Sequence, residues 1–140
     1  MAKKGYGSGE ACLRKFARDN LARHQLGYLG EKIGRQVGRE ELKLKGIKGT
    51  PHKHAFDMLT KTEAWEVKTV SEQAKDIKMT CKGKQKERKI AWAKKNKKDM
   101  KSMLIVVNDK IDVYVRDGVG GFRPANMEHI GSFTRKRFKL

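Results

Sequence analysis

Through the first third of the chain apolar residues recur every three or four positions, and near residue 55 the spacing shortens to two. Leu13, Phe16, Ala17 and Leu21 sit one turn apart, with Ser8 placed to cap and Glu10 in the first turn, which predicts a helix from Gly9 to Gln25. Leu26, Leu29, Ile33 and Val37 form a second helical stripe that Gly46 ends. Gly30, Gly34 and Gly38 recur every fourth residue along it. They cost helix stability but leave a smooth face against which a sheet or helix can pack closely. The stretch KGIKGTPHKH reads as a loop, because Pro51 disfavours helix before it.

Alternation then predicts two strands, Ala55 to Leu59 and Ala64 to Thr69, joined as an antiparallel hairpin by TKTE. Trp65, Val67 and Thr69 would share one face, Glu66 and Lys68 the other. KQKERKIAWAKKNKK reads as a basic helix anchored by Ile90 and Ala93. MLIVV follows as a buried strand, NDK as a tight turn and IDVYVR as an alternating partner strand. DGVGGFR is a glycine-rich turn into a last short element, and TRKRFKL a basic tail. The order of elements predicts an α/β or α+β mixed sheet flanked by helices. At 140 residues and 37% hydrophobic content, the chain is expected to be one domain with a core over about 9–131, and flexible tails at 1–8 and 132–140.

Charge adds a partner to this picture. Thirty-four Lys and Arg against 16 Asp and Glu give a net charge of +18, a surface that repels itself and is relieved by a polyanion. Nucleic acid is the expected partner, since neutralising phosphates releases counterions. Twelve of the cations fall within 75–101, where Lys75, Lys78, Lys82, Lys84, Lys86, Arg88, Lys89, Lys94 and Lys95 are candidate backbone contacts. No apolar run approaches the roughly 18 residues that cross a bilayer, and the N-terminal stretch lacks a signal peptide's apolar core, so a cytoplasmic protein without membrane contact is expected. Cys12 and Cys81, far apart and without a CxxC partner, are expected to be reduced thiols.

Chemistry concentrates in HAFDMLTKTEAWEVKTV. On a folded hairpin Asp57, Glu66 and Lys68 can project from one face, which brings two carboxylates and an ammonium into one small volume. Carboxylates so close repel unless a cation lies between them, and hard oxygen ligands suit Mg²⁺ or Mn²⁺. Such an ion polarises a phosphodiester and lowers the pKa of a bound water. Lys68 could orient the attacking water or stabilise the pentacovalent phosphate. The alternative reading of the same residues is an exposed ladder of Glu66 and Lys68 with Asp57 at a solvated loop end.

The helix carrying Glu31 in GYLGEKIG, followed by Asp57 in AFDML and by Glu66 and Lys68 in WEVKT, resembles the PD-(D/E)XK nuclease superfamily, which includes restriction enzymes and Holliday junction resolvases. Phe56 stands where the family name has proline, and Glu40 and Glu41, on the same helical segment, are alternatives to Glu31. The stretches DIKMT, ERKIAWAKK, IVVND and GVGGFRPANMEHIG are similar to the nuclease-like segment of some phage head-morphogenesis proteins, so that the likeness spans Tyr28 to Gly131. The resemblance implies a restriction-endonuclease-like core and a phage or prophage DNA endonuclease, located in the host cytoplasm or with the virion. It implies Mg²⁺ or Mn²⁺ held by Asp57 and Glu66 with Glu31 in support, and Lys68 positioning the water. It also makes Gln85 and Lys89, on the basic helix, secondary suspects.

His52 and His54 form a local pair, but without Cys or further His at ligand spacing they suit phosphate contact or plain exposure better than zinc. Trp92 suits the core better than base stacking. GVGG lacks the lysine and helix of a nucleotide-binding loop, and no organic cofactor is expected. Cutting both strands symmetrically would call for a homodimer. A non-catalytic basic protein that binds a phage genome, as DNA or RNA, is the competing expectation.

Overall fold

The computed structural model describes residues 23–51, 53–71, 83–120 and 122–139. The helix expected at Gly9 to Gln25 lies almost wholly outside them. The first described element, α1 (Arg23–Glu40), buries Ile33 and Val37. It stops six residues before Gly46: Lys43 turns to a left-handed φ of 56°, and the Leu44 N–H reaches back to the Gly38 carbonyl. A chain that doubles back in this way satisfies terminal carbonyls that a further turn would have used.

Six strands follow in one mixed sheet whose spatial order is their chain order: β1 (Lys48–Gly49), β2 (Met58–Leu59), β3 (Glu63–Ser71), β4 (Asp99–Val107), β5 (Ile111–Asp117) and β6 (Glu128–Phe133). Between β3 and β4 the chain makes a crossover that carries the second helix, α2 (Gly83–Lys95). These two strands are therefore parallel, paired from Glu63↔Asp99 to Ser71↔Val107, while every other pairing is antiparallel. The architecture is α+β, a mixed sheet with two helices.

Alternation along the strands divides the core between two faces. Trp65, Val67, Met103, Ile105, Val107, Ile111 and Val113 meet Ile33 and Val37 of α1. The glycines let α1 lie close: a Cβ at Gly30 would overlap the Thr69 side chain, and one at Gly38 would stand 2.7 Å from Ile47. On the opposite face Ala64 packs with Ala55, Phe56, Val119 and Ala93 of α2, and Leu104 packs with Phe122.

Four expectations need correction. Ile90 does not anchor α2; it is 41% exposed, while Ala93 is buried and the partly buried Trp92 packs beside it. The loop before the hairpin contains β1, and the last short element includes a full strand, β6. Residues 132–139 also do more than trail from the core. Ser132 and Phe133 pair with β5, a 3-10 turn covers Arg135–Phe138, and Phe138 packs on the α1-side core.

Candidate active site

The hairpin is shorter on its first side than alternation implies. Met58 pairs with Trp65 and Leu59 with Ala64, and there the β2 ladder ends. Asp57 lies just before it, its own N–H donating to the Trp65 carbonyl at 2.9 Å. Its carboxylate Oδ2 accepts the Val67 N–H at 2.7 Å, where a longer β2 would have supplied a backbone carbonyl. A side chain thus replaces a ladder bond, and a notch opens beside the second half of β3.

Glu31 of α1 reaches this notch and shares a hydrogen bond with Asp57. Burial, and then the neighbouring Asp57 charge, push the Glu31 carboxyl above its usual range; Arg35, one turn further along α1, opposes the shift. Burial likewise raises Asp57, against the favourable Val67 N–H. Glu66 raises it further, and Lys68 and Lys89 pull it down. Five residues singled out in the sequence, Glu31, Asp57, Glu66, Lys68 and Lys89, therefore act on one small region. Glu40 and Glu41 do not belong to it, because both pair with Arg137 at the other end of α1.

Glu66 and Lys68 occupy the β3 face opposite Trp65 and Val67, as the alternation requires. Glu66 is buried, at 5% exposure. Lys89 reaches it from α2 with Nζ 3.3 Å from the carboxylate, donates to the Ala55 carbonyl at 2.6 Å, and lies over the Phe56 ring. Desolvated charges require this density of partners. The lysine's position on a strongly basic helix hides its inward role in the sequence. Lys98 adds a second inward cation, donating to the Thr60 and Lys61 carbonyls and so latching the β2–β3 turn.

The other candidates are spread more widely. On α2, Gln85, Lys86, Arg88, Lys94 and Lys95 are exposed, and Arg88 donates to the Lys53 carbonyl at 2.8 Å. His54 serves its own loop: its Nδ1 accepts the Phe56 N–H, and its ring packs edge-on to Trp92. Lys84 lies in α2, while His52, Lys75, Lys78 and Lys82 fall outside the described residues.

Among the described residues no three carboxylate, imidazole or thiolate groups are drawn together tightly enough to cage a metal ion. The Glu31 and Asp57 pair nevertheless fits a hard divalent cation. It offers only oxygen donors, and both carboxyls are held above their usual range, Glu31 by burial and the Asp57 charge, Asp57 by burial and Glu66. Mg²⁺ typically binds through one or two carboxylates, with water and substrate phosphate completing its shell. Comparisons with family models, with curated proteins and with solved structures find no match for this chain.

Proposed function

We propose that this chain is a Mg²⁺-dependent DNA endonuclease on a restriction-endonuclease-like core. The observation that carries the reading is the Glu31 and Asp57 pair beside buried Glu66. Asparagine or glutamine would make the same structural hydrogen bonds without the cost of crowding half-buried carboxylates beside a buried one, so a purely structural site has little use for these charges. Phosphodiester hydrolysis does. Asp57 and Glu31 would hold the ion, with Glu66 completing the acidic wall; Mg²⁺ bound there would polarise the phosphate and acidify a coordinated water.

The protein's own groups would perform the remaining work. Lys68, on the Glu66 face of β3, would place its ammonium against the attacking water or the non-bridging oxygens, where negative charge develops. Lys89 would keep the Glu66 carboxylate oriented through its second bond to Ala55. The exposed cations of α2 would hold the strand by its backbone, without regard to sequence. A non-catalytic nucleic-acid-binding protein would use the same net charge of +18 but has no need of the carboxylate pair. Lys68→Ala separates the two readings. In the nuclease it abolishes cleavage of duplex DNA and leaves affinity nearly unchanged; cleavage at the wild-type rate by this variant would remove Lys68 from the mechanism.

A further inference from the structure

A cleft of about 380 Å³ runs along α1, floored by Leu29, Ile33 and Phe138 and bordered by Lys32, Arg35, Arg39 and Lys139. Four cations and no carboxylate line it. Among the described residues, no hydrogen bond or ion pair engages the side chains of Lys32, Arg39 or Lys139. Gln36 closes one wall by donating to the Arg137 carbonyl at 3.1 Å, which fixes the docked C-terminal turn against the helix. Arg35 connects the cleft to the notch, since it lines the cleft and stands four residues, one helical turn, from Glu31 on α1.

We propose that this cleft is a second binding surface for the phosphate backbone of duplex DNA, continuous through Arg35 with the carboxylate notch. The proposal rests on the nuclease reading above and adds where the substrate runs once it leaves the site. Lys32 and Arg39 are seven residues apart, or roughly 10 Å along the helix axis. That span matches about three phosphate steps at ~3.4 Å of duplex axis per strand. A concave cleft bordered by four cations and no carboxylate suits a single strand's backbone, whereas a lipid surface would need a flat or convex face. The cations of α2 lie across the sheet from α1, so a duplex held by both would be drawn over the notch between them.

The test is binding of the full chain to a 25-base-pair duplex in EDTA, by fluorescence anisotropy at several KCl concentrations. Lys32→Ala/Arg39→Ala/Lys139→Ala is compared with Lys86→Ala/Lys94→Ala/Lys95→Ala on α2. Each lost phosphate contact flattens the plot of log K against log salt by about 0.9. The α1 variant should therefore flatten by about 2 to 3, and single Lys32→Ala and Lys139→Ala variants, at exposed side chains, by about one each. An unchanged slope in the α1 variants beside a flattened slope in the α2 variant would overturn the cleft proposal and leave the nuclease reading standing. Failure of wild type to bind DNA in a salt-dependent manner would overturn both.

Discussion

Replacing Lys89 by methionine keeps most of its apolar stem and removes its ammonium. In the folded protein that ammonium is 3.3 Å from Glu66 and 2.6 Å from the Ala55 carbonyl, with side-chain exposures of 15% for Lys89 and 6% for Glu66. Removing one member of a pair so thoroughly desolvated costs about 3 to 5 kcal/mol, because the partner's charge stays buried. The residual exposure of Lys89 places the expected loss near the lower end, about 3 kcal/mol. With an unfolding entropy of about 2.1 cal/mol/K per residue, a chain of this length should lose ~10 °C in Tm. Thermal and urea unfolding followed by circular dichroism measure both quantities. Adding Glu66→Gln removes the buried charge that Lys89 counters and should return at least half of the loss, so the double-mutant cycle reads the pair directly. A loss in Lys89→Met below about 1 kcal/mol, as for an exposed pair, would refute the view of Glu66 and Lys89 as a buried ionic strut.

Asp57 and Glu31 have folded pKa values raised above their unfolded ones, so the native state binds more protons, and their contribution turns unfavourable as pH rises through the carboxylate range into the raised folded values. Asp57→Asn, which can still accept the Val67 N–H, should therefore melt above wild type at pH 8 in EDTA, with the gap closing toward pH 4; an equal or lower Tm at pH 8 would sink this. Mg²⁺ should raise the Tm of wild type and leave Asp57→Asn unmoved. Along α1, Gly27→Ala meets open space and should stabilise by about 0.5–1 kcal/mol, whereas Gly30→Ala drives a methyl into Thr69 and should destabilise by about 1–3 kcal/mol in denaturant unfolding. Equal effects at the two positions would contradict the close approach of α1 to β3.

Much of this arrangement is legible in the sequence, because it follows from periodicity. Ile33, Val37 and the fourth-residue glycines mark the face of α1 that meets the sheet, and the apolar run Met103 to Val107 followed by NDK marks the β4–β5 hairpin. Strict alternation places Glu66 and Lys68 opposite Trp65 and Val67. What periodicity misses are places where a polar group performs a task usually assigned to backbone or to an apolar residue. Asp57 takes a ladder bond, so β2 ends early. Lys89 turns inward because a carboxylate and a carbonyl await it, which rotates Ile90 outward. The basic segment at the C-terminal end docks through Phe138 and through Arg137, whose partners Glu40 and Glu41 are distant in the chain. Such long-range pairings leave no local pattern to read.

The proposed role of Glu31 and Asp57 is to hold a divalent cation that acts on DNA. Its most direct test is the nicking of supercoiled plasmid by purified wild type and Asp57→Ala, each with Mg²⁺, Mn²⁺ or EDTA, beside duplex binding by both. Wild type is expected to nick with either metal and not in EDTA, and Asp57→Ala not at all, while both proteins bind DNA. Tight, salt-sensitive binding by both with no nicking under any metal would contradict this role and make the chain a nucleic-acid-binding protein.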